Sequence, residues 1–150
     1  MANNNKDDSY LGNQLLKTTN VPQPFTKHEV EEYVKCRNNI VYFLKNYVKV
    51  IHVDHGLIPF DLYDYQEDLI NTLHNHRYVI VKSARQSGKS VTSLGYILHY
   101  ILFNKTKIVG MLANKASTSR ELLGRLQTAY QHLPKFLQQG IVEWNKGNLE

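Results

Sequence analysis

The residues with the clearest chemical potential lie in one short stretch, Ser83-Ala84-Arg85-Gln86-Ser87-Gly88-Lys89-Ser90. Gly88 has no Cβ, so the backbone there can approach a phosphate closely. Lys89 can reach the β- and γ-phosphates of a nucleotide, and the Ser90 hydroxyl can bind Mg²⁺. A helix that begins at this point adds unpaired N–H groups and a positive dipole end. The stretch therefore predicts a phosphate-binding loop of the Walker A type.

Two residues of this loop leave alternatives open. The general pattern begins with glycine, where this sequence has Ser83, and Gly-Lys-Ser also occurs by chance in surface turns. Arg85 adds a second cation, which could contact the γ-phosphate and stabilise the charge of a phosphoryl-transfer transition state. A surface arginine that binds a carboxylate explains Arg85 equally well from spacing alone.

An upstream pair, Tyr65-Gln66, lies on a helix predicted before the first strand. A glutamine amide both donates and accepts hydrogen bonds, so Gln66 could pair with the edge of an adenine base. Taken alone, Gln66 is more simply explained as an ordinary exposed residue.

The predicted elements around the loop alternate between helix and strand. A capping box, Thr26 with Glu29, begins an apolar period that predicts one long helix or two short ones to Val48. Val30 and Val34 are expected on its core face and Glu32 on its solvated face. Further predictions are a helix over 62–74, buried strands over 78–81 and 107–112, a helix over 90–103, a helix capped by Thr118 and Glu121, a strand over 139–144, and a turn at 145–147.

This order predicts an α/β fold with parallel strands, flanking helices and a right-handed crossover. Two parallel strands are too few for a doubly wound sheet, so we expect an incomplete sheet, the front part of a larger domain over residues 25–150. Residues 1–24 are rich in asparagine and poor in apolar residues, which predicts a mobile tail.

Composition excludes several classes of protein. The chain has 150 residues, of which 42% are hydrophobic, and a formal net charge of +5. Cys36 is the single cysteine, so no intrachain disulfide can form. The longest charge-free stretch, 90–104, is too short to span a bilayer, and no membrane association is expected. The histidine groups at 52–55 and 74–76 do not have the spacing of a helical zinc pair and are interpreted as surface residues.

Several motifs in order resemble one known family. Tyr65-Gln66 followed by Ala84-Arg85-Gln86-Ser87-Gly88-Lys89-Ser90 resembles the ATPase front of tailed-phage large terminases of the myovirus type. The stretches 36–43 and 141–147 are similar to that group as well, so the resemblance extends from about residue 25 to the end. In this family the first loop position is often not glycine, which removes the objection from Ser83.

The resemblance implies a P-loop NTPase fold with ATP and Mg²⁺ as cofactors. Carried over to this sequence, residues 83–90 would hold the phosphates, and Tyr65 and Gln66 would bind adenine. Lys89 and Ser90 would hold phosphate and Mg²⁺, and Arg85 would be an arginine finger acting in cis. Ser117, Thr118 and Ser119 would be candidate sensors of DNA or nucleotide, although an ordinary helix N-cap explains them better.

The resemblance also implies a DNA-packaging motor. Its partners would be double-stranded viral DNA, the portal protein of the procapsid and the small terminase subunit. The complete protein would form a homo-oligomeric ring in the host cell cytoplasm, transiently docked at the portal, and a separate nuclease domain would cut the concatemer. In the family, the acidic Mg²⁺-binding strand and the catalytic glutamate lie downstream of the part that this chain resembles, so the chain is expected to bind ATP weakly and to hydrolyse it poorly alone.

Two other functions stay open at this point. A helicase-type ATPase shares the upstream glutamine, the loop and the segment after the second strand. A truncated, non-catalytic interaction module that pairs with a second chain is the other alternative.

Overall fold

The computed structural model describes residues 8–52 and 54–150. Its elements in chain order are β1 (Ser9–Tyr10), β2 (Asn13–Lys17), α1 (Lys27–Asn38), α2 (Ile40–Tyr47), β3 (Lys49–His52), β4 (Gly56–Pro59), α3 (Asp64–Asn75), α4 (Lys89–Phe103) and α5 (Ala116–Gln131). Strand β1 pairs with β2, and β3 pairs with β4, in two separate antiparallel sheets. The chain is therefore a mixed α/β structure in which helices form most of the core.

The two predicted parallel strands are not formed in the described part of the chain. Residues 78–81 and 107–112 form no regular secondary structure and pair with no strand there. Ile80 is 98% exposed and Ile108 is 99% exposed. A parallel sheet is stable when both of its faces are covered, and these two runs lack that cover. The predicted parallel sheet of a P-loop fold is therefore not confirmed.

Helix α4 is the centre of the core. Its buried residues face helices α2, α3 and α5, which all contact it. At Gly95 the packing is so close that a Cβ atom would lie 2.9 Å from Leu44 Cδ2 and 3.2 Å from Phe60 Cε1. The predicted helix over 90–103 is confirmed, and it positions the candidate loop at its N-terminus.

The sequence predicted one long helix or two short ones up to Val48, and the structure has two, α1 and α2. Thr26 Oγ1 accepts a hydrogen bond from the Glu29 N–H, and the Glu29 carboxylate accepts one from the Thr26 N–H, which confirms the capping box. Asn39 separates the helices and caps α2, because its Oδ1 accepts from the Tyr42 N–H at 2.9 Å.

The predicted faces of α1 are wrong at three positions. Val30 and Val34 are about half exposed, whereas Glu32 is buried. The Glu32 carboxylate accepts hydrogen bonds from Lys35 Nζ and from the hydroxyls of Tyr42 and Tyr47, so its burial is satisfied. These three bonds, with that from Lys35 the strongest influence, lower the pKa of Glu32 to about 2. Cys36 lies on the same inner face, and burial raises the pKa of its thiol to about 12.

The N-terminal segment, for which a mobile tail was predicted, contains secondary structure where it is described. Residues 1–7 lie outside the described residues, but β1 and β2 form a hairpin and Leu16 is buried in the core. Gln138 is buried and holds this hairpin: its Oε1 accepts from the Lys17 N–H, and its Nε2 donates to the Leu15 carbonyl. Thr18 also forms a parallel bridge with Ile141. Leu16 and the Gln138 amide thus help to hold the β1–β2 hairpin against the core, although the apolar residues of this segment have no regular spacing.

Three further boundaries correct the sequence-based expectations. The β3–β4 hairpin stands between the first helical stretch and the helix predicted over 62–74, where no element was predicted. Helix α5 begins at Ala116 rather than behind a Thr118 cap, and no side chain caps it. The strand expected over 139–144 is reduced to isolated bridges at Ile141 and Trp144. The turn after it is confirmed: Asn145 Oδ1 accepts from the N–H groups of residues 147 and 148.

Within the described ranges, no helix has the length and apolar content needed to cross a membrane. Over the same residues, no group of three or more His, Cys, Asp and Glu side chains is arranged to hold a metal ion.

Candidate functional site

The backbone of the loop before α4 makes a tight turn. Gln86 has φ +60° and Gly88 has φ +72°, so two left-handed residues lie within three positions. Gly88 is the N-cap of α4 and has no side chain that could occupy the free N–H groups of the first turn. The Gly88 carbonyl accepts from both the N–H and the Oγ1 of Thr92, which fixes the helix start. The predicted placement of the loop directly before a helix is confirmed, and the strand expected before it is not formed.

Three side chains of the loop bond within it. The Ser83 and Ser87 hydroxyls are hydrogen-bonded to each other, and Ser87 Oγ donates to the Ala84 carbonyl at 3.0 Å. Lys89 Nζ donates to the same Ala84 carbonyl at 3.1 Å. The ammonium group of Lys89 is therefore held over the loop backbone rather than extended into solvent.

Helix α3 touches the loop at the two positions singled out upstream. The Tyr65 hydroxyl donates to the Ser87 carbonyl at 2.9 Å. Gln66 is buried, and its Nε2 lies so near Gly88 that a Cβ atom at residue 88 would overlap it. The fold thus brings Tyr65 and Gln66 to the loop although 22 residues separate Tyr65 from Ser87. That Gln66 is an ordinary exposed residue is therefore wrong.

Gln66 already has a structural role in this arrangement. Its Oε1 accepts from the Tyr63 N–H at 3.0 Å and helps to begin α3. The Tyr63 ring stacks on the Tyr65 ring, with centroids 5.7 Å apart and planes 8° apart. Sequence reasoning missed Tyr63; its spacing of two from Tyr65, across the start of a helix, was the available signal.

Arg85 and Ser90 are both exposed. In the described part of the chain, no carboxylate pairs with Arg85. The surface-arginine alternative therefore finds no partner there. Ser90 lies in the first turn of α4, where its hydroxyl is open to solvent.

The second candidate segment, Ser117 to Ser119, lies in the first turn of α5. Ser119 Oγ donates to the Met111 carbonyl at 2.8 Å, which ties α5 to the run 107–112. Ser117 and Thr118 are exposed. A role as sensors of DNA or nucleotide stays a prediction.

A comparison with known families bears on the second half of the chain. Residues 80–150 match the family model described as terminase large subunit, T4likevirus-type, N-terminal. The matched segment includes the loop over 83–90, helices α4 and α5, and the turn at 145–147. It confirms the resemblance inferred from the sequence over these residues, whereas Tyr65 and Gln66 lie outside it.

Proposed function

We propose that this chain, whose residues 80–150 match the family model of T4likevirus-type terminase large subunits, is the ATP-binding part of a viral DNA-packaging motor. The observation that supports the proposal most directly is the start of α4. There a left-handed Gly88 leaves the first helical N–H groups without a side-chain cap, and Lys89 and Ser90 follow at once. The family match favours a packaging terminase over a helicase-type ATPase.

The residues at this site fit a magnesium–triphosphate ligand. The free N–H groups of α4 and the positive end of its dipole stabilise negative charge. Lys89 would exchange its bond to the Ala84 carbonyl for a phosphate oxygen, because an ammonium group binds a charged acceptor more strongly than a neutral one. The exposed Ser90 hydroxyl would bind Mg²⁺, which would neutralise charge on the β- and γ-phosphates. Residues 83–87 would enclose the phosphates from the other side.

The matched model describes an N-terminal part, so we assign ATP turnover and DNA cleavage to the complete large subunit. In that protein an acidic group outside residues 80–150 would orient the Mg²⁺ ion for phosphoryl transfer. Its partners in this proposal are double-stranded viral DNA, the portal protein and the small terminase subunit. The complete ring would act in the host cytoplasm, docked at the procapsid portal.

ATP binding by the chain tests the proposal. Lys89→Ala should weaken the binding of magnesium-ATP about 10- to 150-fold, since it removes a charge-assisted bond worth roughly 1.5–3 kcal/mol. Isothermal titration calorimetry measures the affinity, and circular dichroism checks that both proteins are folded. Lys105→Ala is the matched control: it removes the same charge just past the other end of α4 and should bind ATP like the parent chain. Equal affinity in the Lys89→Ala and parent proteins would show that the loop does not bind phosphate.

A further inference from the structure

Two side chains of α3 hold the phosphate loop at adjacent positions. Tyr65 donates its hydroxyl hydrogen to the Ser87 carbonyl at 2.9 Å. Gln66 fills the space that a side chain at residue 88 would need. The Ser87–Gly88 peptide is therefore fixed from one side by a hydrogen bond and by packing.

This contact sets the direction of the N–H group that follows. In a planar trans peptide the carbonyl and the next N–H point to opposite sides. Because the Ser87 carbonyl is turned toward Tyr65, the Gly88 N–H is turned away from α3. Loss of the Tyr65 hydroxyl would free this peptide to rotate, and a glycine at position 88 offers little resistance to rotation.

The Tyr65 ring is itself held in place. It stacks in parallel on Tyr63, which is 67% exposed. Gln66 is only 4% exposed, and its Oε1 is engaged by the Tyr63 N–H. Bidentate pairing with adenine needs both the oxygen and the nitrogen of an accessible amide. Because Gln66 is buried and its Nε2 is packed against Gly88, this conformation favours support of the loop over reading of a base.

We propose that Tyr65 is a positioning residue of the phosphate loop, which orients the Ser87–Gly88 peptide so that the Gly88 N–H faces the triphosphate, with Gln66 packed behind it. The inference rests on the proposed function, because it takes the loop to bind phosphate. It predicts that Tyr65 affects the affinity for a triphosphate whatever base is attached. A contact to adenine would instead affect the choice between bases.

Three ligands separate these two roles: ATP, GTP and inorganic tripolyphosphate, each with Mg²⁺. Tyr65→Phe keeps the ring stack but loses the hydroxyl, and should weaken all three ligands by a similar factor of about three to ten. The ratio of ATP to GTP affinity should not change. Tyr63→Phe is the matched control, because it removes a hydroxyl from the same stacked pair without touching the loop, and its affinities should equal those of the parent chain.

Amide hydrogen exchange over residues 84–88 provides a readout that needs no ligand. Tyr65→Phe should accelerate exchange there, and Tyr63→Phe should not, with equal melting temperatures for both variants. A loss confined to ATP, or unchanged affinities together with unchanged exchange, would overturn the inference. A parent chain that binds none of the three ligands would refute the proposed function and the phosphate part of this inference. Exchange over 84–88 would then still decide whether Tyr65 holds the loop.

Discussion

At the scale of single residues, Arg85 is the position where a role in turnover can be separated from a role in binding. The guanidinium is exposed and pairs with no carboxylate in the described ranges, so it is free to reach a phosphate. Under the proposed function, Arg85→Ala should leave the ATP affinity unchanged and reduce ATP turnover by roughly 10³-fold, the lower range for an arginine finger. Steady-state ATPase assays and equilibrium nucleotide binding measure the two quantities.

Loss of ATP binding in the Arg85→Ala protein would instead identify Arg85 as a ligand of the ground-state phosphate. Arg77→Ala is a suitable control for the removal of one positive charge. Arg77 lies over the Tyr78 ring, 5.3 Å from its centroid, and outside the loop. Its removal should leave turnover close to that of the parent protein.

We expect the free energy of unfolding to depend on pH through a buried histidine in the core. His99 of α4 packs against the rings of Phe43 and Phe103, and its Nε2 donates to the Cys36 carbonyl at 2.9 Å. Burial lowers the pKa of His99 below the ordinary value of 6.5. The unfolded chain therefore binds a proton at His99 below pH 6.5 while the folded chain does not. Burial of neutral His99 therefore contributes to the free energy of unfolding in a pH-dependent way. The contribution is fully present above pH 6.5 and is lost as the pH falls toward the lower pKa of His99 in the folded chain.

Chemical denaturation at several values between pH 5 and pH 7.5 tests this linkage. The free energy of unfolding of the parent chain should fall toward pH 5, and the fall should be smaller in His99→Gln, which keeps a donor for the Cys36 carbonyl. His28→Gln alters an exposed residue in the first turn of α1 and should retain the parent's dependence. An unchanged slope in His99→Gln would contradict the assignment.

At the scale of elements, the docking of the N-terminal hairpin depends on a close backbone approach. Gly140 lies so near residues 18 and 19 that a Cβ atom would be 2.7 Å from Thr19 Cα and 2.9 Å from the Thr18 oxygen. Both contacts are backbone atoms, which cannot move without moving the strand. Gly140→Ala should therefore release the hairpin, and trypsin should cleave after Lys17 much faster than in the parent chain.

Gly124→Ala in α5 is the matched control for this substitution. A Cβ atom at residue 124 would meet nothing within 4 Å, and alanine is favoured over glycine inside a helix. That variant should be more stable by about 0.5–1 kcal/mol and keep the parent's rate of cleavage at Lys17. Equal cleavage rates in the two alanine variants would show that the bridge between Thr18 and Ile141 does not hold the segment.

The elements that could be predicted are those whose signals are local. The Thr26 capping box and the helical period of α4 depend on neighbours within one or two turns, and both are confirmed. The candidate loop could be found for the same reason, because its residues are consecutive. Local signals could not decide whether residues 78–81 and 107–112 form strands, because a β-branched run becomes a strand only when another strand pairs with it.

The spacing of apolar residues also could not predict which polar side chains are buried. The sequence pattern places Glu32 on the solvent face of α1. Its carboxylate can be buried because the hydroxyls of Tyr42 and Tyr47, from the next helix, donate hydrogen bonds to it. Gln138 likewise becomes a core residue because it bonds to both Lys17 and Leu15, more than 120 residues away. Contacts of such sequence separation leave no pattern in a single sequence.

At the scale of the whole molecule, the described structure presents two apolar runs to solvent. Residues 78–81 and 107–112 include Tyr78, Ile80, Ile108 and Leu112, all more than 80% exposed. A cavity of about 810 Å³ lies under the second run, between α4 and α5. Exposed apolar runs that pair with no strand are sites at which other chains can add strands.

We therefore expect the 150-residue chain to self-associate through these runs. The double substitution Ile80→Lys with Ile108→Lys should shift it toward monomer, because charge on an unpaired edge opposes strand addition. Sedimentation velocity over a range of concentrations measures the distribution. Val30→Lys with Val34→Lys is the control, since it adds the same charge at half-exposed positions of α1 and should leave association unchanged. A monomeric parent chain, or equal effects of the two double substitutions, would contradict this role for the runs and would indicate that they are stable in water without a pairing partner.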